Sequence, residues 1–236
     1  ESHITGDASP REKFQAWAAT IPNTLRNPLY DWTHLELRRC FGINTLLSAD
    51  TAEEIWNQAN ERLQDADFSA RELMRRFRVD AVGTTDDPND DLYHHEVTNA
   101  SDCPTKTYPT FRPDKALFVD RPALLNPWLD QLSAGIETLS DLLSALRARH
   151  DFFHEKGCRM TDHGMRYALA NPCTEEEANR IFKDARNGNP ANPVDTDAFG
   201  ALIMFHVGQW NAERDWTMQL HLGPKRSPNS RMFAQL

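Results

Sequence analysis

The chain is expected to be an α/β protein, with parallel strands joined by helices and a helical segment ahead of them. Three observations predict this. From residue 69 onward, helical periodicity alternates with short strand patterns, the order that right-handed crossovers between parallel strands produce. Residues 1–65 carry helical patterning alone. Polar, chemistry-bearing residues gather just after each strand. That last feature fits the rim of a (β/α) barrel. It fits an open doubly wound sheet equally well, since ligands there also sit beyond the strand ends. No Gly-x-Gly-x-x-Gly fingerprint supports a dinucleotide-binding version.

The elements follow in order. Pro10 opens a helix carrying Phe14, Trp17 and Ala18, which Pro22 and Pro28 are expected to end. Thr51 and Glu54 have the spacing of a capping box ahead of Ile55, Trp56, Ala59 and Leu63. Ser69 and Glu72 repeat that signal, and their helix leads into a first strand, Val79 to Thr84. Lys106 to Phe111 is a second strand, weakened because Pro109 has no N–H for a ladder. A long helix from Ser140 to Lys156 stops at Gly157, a left-handed cap. Cys158 to Thr161 is the third strand, Thr174 to Glu177 starts another helix, Ala198 to Arg214 is helical, and Trp216 to Leu220 is the fourth strand.

Composition excludes several classes. In 236 residues, 26 Lys and Arg stand against 35 Asp and Glu, a net charge of −9, so the chain lacks the basic surface that nucleic acid requires. Its densest basic stretch, Arg71, Arg75, Arg76 and Arg78, lies on an amphipathic helix and reads as a solvated face. The longest apolar run, Ala201 to Phe205, is far too short to span a membrane. Glu1 to Asp7 is polar, with no signal-peptide core and no initiator Met, so the start is expected to be a cut. Cys40, Cys103, Cys158 and Cys173 form no Cys-x-x-Cys pair; reduced, scattered thiols and a cytoplasmic location are expected.

Arg112 is the leading candidate for chemistry. It follows an apolar strand and precedes the rigid Pro113 and then Asp114, a setting in which its planar fork can grip a carboxylate. The plainer alternative is an ion pair with Asp114 or Asp87 that ties the loop. Arg226, after His221-Leu222-Gly223-Pro224-Lys225, is a second anion-binding candidate. His163 and His221 each end a strand, where a neutral imidazole can act as base or ligand, or simply bond a loop carbonyl. Asp86, Asp87, Asp90 and Asp91 lack EF-hand spacing; with Pro88 they predict a turn and helix cap. His150 and His154 are four apart but without the Glu of His-Glu-x-x-His, so they are expected to be exposed on a helix. His94 and His95 should point to different sides.

A family resemblance enters here. Asn27-Pro28-Leu29-Tyr30, Trp32-Thr33-His34-Leu35-Glu36-Leu37 and Phe41-Gly42-Ile43 resemble the uronate (glucuronate) isomerases. So do Ile4 to Ser9, Thr84 to Pro88, Thr110 to Leu117, Gly157-Cys158-Arg159, Asp162-His163-Gly164 and Met218 to His221 with Gly223, in order across essentially the whole chain. The resemblance implies an amidohydrolase-superfamily (β/α)8 barrel, with residues 1–65 a helical segment and 66–236 a partial barrel containing strands two through five. It implies that the chain is an internal fragment of a longer one, lacking both ends.

The implied activity is aldose–ketose isomerisation by proton transfer between C2 and C1, of D-glucuronate to D-fructuronate and of D-galacturonate to D-tagaturonate. A hydride shift remains the competing route. Arg112 matches the family arginine that receives the substrate carboxylate; His221 and Arg226 match the strand-five end and, with His163, complete the expected substrate-binding set. The family holds a divalent metal, commonly zinc, through a His-x-His after strand one and an Asp after strand eight. Neither is in this chain, so no metal ligand is assigned, and the catalytic base is expected outside it. The expected partner is a small uronate, with no nucleic acid and no membrane; a homo-oligomer also fits. Asp31, Pro224-Lys225 and Ser227-Pro228 depart from the family pattern. The alternatives are a metal-dependent hydrolase of a carboxylated substrate and a non-catalytic fragment of the isomerase.

Overall fold

The structure is a computed structural model that describes residues 2–223 and 229–234. It divides into two compact units, residues 1–78 with 227–236, and residues 79–226. The sequence had set its boundary at 65/66.

The first unit is helical: α1 (Pro10–Thr20), α2 (Pro28–Glu36), α3 (Ala52–Arg62) and α4 (Ala70–Arg76). Ala18, Ile21, Leu37, Ile43, Leu47, Ala52 and Ile55 form its core. Two expectations change here. Pro28 opens α2, with Asn27 Oδ1 accepting the Leu29 N–H, because a proline's missing N–H costs nothing in a first turn. Thr51 precedes α3 without capping it; its hydroxyl donates to the Leu46 carbonyl and accepts the Ser48 N–H instead.

The second unit alternates β1 (Ala81–Gly83), α5 (Tyr93–Ala100), β2 (Lys106–Tyr108), α6 (Pro122–Leu132), α7 (Leu139–Glu155), β3 (Met160–Met165), α8 (Glu175–Arg186), α9 (Pro193–Glu213) and β4 (Thr217–Leu222). A short α10 (Ser230–Phe233) follows. The α/β class holds, and all the strand pairings are parallel. β1 pairs with β2 from Ala81↔Lys106 to Gly83↔Tyr108, and β3 with β4 from Met160↔Thr217 to Met165↔Leu222. Pro109 interrupts β2 as its missing N–H requires. One residue past Thr110, the chain rejoins: Phe111 bridges Asp86 on one side and Thr161 on the other. The strand order is therefore the chain order, and Phe111, wholly buried, is the splice between the two pairs. Helix predominates, since β1 and β2 are only three residues long.

Helices α6 to α9 supply the core through Leu125, Leu129, Leu142, Leu146, Phe153, Phe182, Phe199 and Ile203. Helix α9 begins at Pro193, earlier than expected, where Asn192 Oδ1 accepts the Asp195 N–H. Helix α8 starts where expected, with a reciprocal cap: Thr174 accepts the Glu177 N–H and Glu177 accepts back. Helix α7 ends before Gly157, whose φ of 93° only glycine adopts without strain. The expectation of exposed histidines fails at His150. It lies on the buried α7 stripe of Leu139, Leu142, Leu146 and Phe153, packed face to face with Trp216 at 3.9 Å. All four cysteines are free, and burial pushes the Cys158 thiol up to about 11.

Candidate active site at the strand ends

The site residues lie on the strands or just past them: Arg112 and Asp114 follow β2, Asp162, His163 and Gly164 lie within β3, and His221 lies within β4. The Arg112 N–H donates to the Asp86 carbonyl at 3.0 Å, just beyond the Phe111 splice, so β1 and β2 together set where the arginine departs. Its side chain is 33% exposed and faces a cavity of about 1250 Å³ lined also by Thr85, Asp114, Lys115, Arg121, Arg166 and Tyr167. Nε donates to Asp114 Oδ2 at 3.1 Å and Nη1 to Asp162 Oδ2 at 3.4 Å. The loop-tying ion pair with Asp114 therefore forms, whereas Asp87 pairs with Lys115 at 3.0 Å. Two of the five guanidinium N–H groups are used in this way, leaving three for a ligand.

Asp114 gathers three donors. His163 Nδ1 donates to Oδ1 at 3.0 Å, and the Gly164 N–H donates to Oδ2 at 2.8 Å beside the Arg112 Nε–H. Burial opposes ionisation of this carboxyl, but the bonds from His163, Gly164 and Arg112 outweigh it and hold it below the usual carboxylate range. Asp162, buried, also accepts the Thr85 hydroxyl at 3.1 Å. His221 Nε2 stands 2.6 Å from Asp162 Oδ1, at ion-pair distance though off the line of a hydrogen bond.

The predicted residues thus divide. Arg112 lines the cavity, and His221, half exposed, joins its network through Asp162. His163 is wholly buried and contributes nothing to the cavity wall. Arg226 lies outside the described residues. The aspartate cluster is a turn: Asp87, Asp90 and Asp91 accept the N–H groups of Asn89, Leu92 and Tyr93. His94 is exposed and His95 half-buried, its Nε2 2.7 Å from Thr84 Oγ1, which donates to Asp86 Oδ2. Sequence reasoning passed over Gly164. A Cβ there would stand 2.5 Å from Arg112 Nη2, so the guanidinium lies directly against the glycine backbone. The one available signal was a glycine immediately after Asp162-His163 at a strand end.

The family model described as glucuronate isomerase matches residues 1–236. The chain belongs to the glucuronate isomerase family. It is 49% identical to a uronate isomerase of Solibacter usitatus, covering 100% of this chain and 51% of that protein. It is 47% identical to one of Opitutus terrae, covering 100% and 50%. Among solved structures, the uronate isomerase of Thermotoga maritima superposes with a TM-score of 0.91 at 32% identity, over 99% of this chain and 52% of that one. The glucuronate isomerase of Caulobacter crescentus, 22% identical, shares the fold with a TM-score of 0.87 over 97% and 48%. The chain spans about half the length of the relatives it matches.

The metal implied by the family resemblance has no ligand set among the described residues. No group of three or more His, Cys, Asp or Glu converges there. His163 Nε2 is buried and unpartnered, but it stands alone. Among the described residues, no helix is long and apolar enough to cross a membrane.

Proposed function

We propose that the chain carries the carboxylate-binding part of a uronate isomerase that converts D-glucuronate to D-fructuronate and D-galacturonate to D-tagaturonate. Arg112 carries this reading: a guanidinium held at Nε by Asp114 and at Nη1 by Asp162, lining a cavity larger than a sugar acid. Its free Nη2 edge would take the substrate carboxylate end-on. That contact would set C1 and C2 at the reacting centre before any proton moves. His221, through Asp162, would hold the second side of the same fork, and Arg226 is proposed as a further anion contact. A base outside the described residues would take the C2 proton and return it at C1.

The four strands are read as strands two through five of a (β/α)8 barrel. Their parallel, chain-order pairing and the likeness to the Thermotoga maritima enzyme support this. Zinc as the metal, a cytoplasmic location and a homo-oligomer complete the reading.

The test is glucuronate kinetics of the full-length protein as its cell makes it. Arg112→Ala should lower kcat/KM by roughly 10- to 100-fold, the loss of charge-assisted hydrogen bonds, with Arg112→Lys between it and wild type. An unchanged KM in Arg112→Ala would sink the assignment. Hydrolysis of lactones or amides without isomerisation would replace it with the hydrolase.

A further inference from the structure

We propose that His163 is a positioning residue for Arg112, acting through Asp114; this rests on reading Arg112 as the carboxylate anchor. The sequence grouped His163 with residues that touch substrate, and its burial removes it from that role. What it touches is Asp114. Because that carboxyl is held ionised, Nδ1 carries a proton and donates it, and the buried Nε2 makes no hydrogen bond.

The consequence is geometric. His163 fixes Oδ1 of Asp114 and the Gly164 N–H fixes Oδ2, so both oxygens are oriented by β3. Arg112 Nε donates to that same Oδ2, so the plane of the carboxylate sets the plane of the fork. Asp162, from the other side of His163 in the chain, takes Nη1. Gly164 supplies the surface on which Nη2 rests, since any side chain would collide with it. Three consecutive residues of β3 thus orient one guanidinium on the segment that follows β2.

An unrestrained arginine side chain gives up rotamer freedom when a ligand orders it. Ordering it in the free protein shifts that cost into folding and leaves binding tighter. The arrangement also selects the approach. Asp114 takes the Nε–H and Asp162 one Nη1–H, so a carboxylate is left with Nη2 and the second Nη1–H.

The experiment uses the full-length protein with two readouts: solvent exchange of the ¹⁵N-labelled Arg112 Nε–H by NMR, and glucuronate kinetics. His163→Leu removes the donor at similar volume. His163→Asn returns an amide N–H close to the place of Nδ1. The expected result is at least tenfold faster Nε–H exchange and about tenfold higher KM in His163→Leu, with kcat within about twofold. His163→Asn should recover most of both. Gly164→Ala should raise KM in the same direction with Asp114 intact. Equal exchange in wild type and His163→Leu overturns the proposal, as does failure of Asn to restore what Leu removes. If Arg112→Ala leaves KM unchanged, the anchor reading falls, yet the exchange readout still decides what His163 does.

Discussion

His150 is buried, and its chemistry departs from that of a free histidine. Burial holds its imidazole down to about 4, against a bond from Nε2 to Asn211 Oδ1 that favours the proton. Arg147 and Arg214 push in the same direction as burial, and Asp151 pushes against it. An unfolded histidine titrates near 6.5, so between there and about 4 the unfolded chain binds a proton that the native fold refuses. Its stabilising contribution is complete above pH 6.5 and declines as pH falls toward 4, by up to roughly 1.4 kcal/mol per pH unit. Urea unfolding across that range should show His150→Phe with a shallower pH slope than wild type; identical slopes would disprove the burial account. The histidine was legible in one respect. It falls in step with Leu142, Leu146 and Phe153, a spacing that marks the inner face of α7. Residue type argued for the surface, periodicity for the core, and periodicity won.

At the scale of elements, capping shows where local sequence suffices. Thr174 and Glu177 cap α8 reciprocally, at the helix start expected from sequence. Thr174→Ala should therefore destabilise the protein by about 1 kcal/mol in thermal or urea unfolding. No measurable loss would mean that tertiary packing alone holds the start of α8. The same spacing misleads at Thr51, because the carbonyl of Leu46 and the N–H of Ser48 claim its hydroxyl first. Those partners lie in the preceding turn, which a forward-looking capping pattern does not weigh. The strand ends behave likewise: β2 stops at Tyr108 because Pro109 cannot donate, as its sequence requires. Its resumption at Phe111 depends on Asp86 and Thr161, which lie elsewhere in the chain.

For the whole molecule, the exposed flank of β4 carries a physical consequence. Among the described strands β4 pairs with β3 alone, and Leu220 and Leu222 are 40% and 46% exposed. An edge strand with apolar side chains invites pairing with another chain. The 236-residue chain by itself is expected to self-associate and to leave glucuronate unchanged with added zinc. A monodisperse monomer in sedimentation velocity, unfolding cooperatively, would contradict the first expectation. Turnover would contradict the second.

The order of residues was enough to establish the α/β class, the places of the four strands and the start of α8, because each depends on neighbours within a few positions. Which groups hold Arg112 was decided by the tertiary structure: Asp162 and Gly164 meet it across some fifty residues of chain. The same holds for His163, buried and bonded to Asp114 forty-nine residues away, and hydrogen bonds at that separation leave no periodic trace to read.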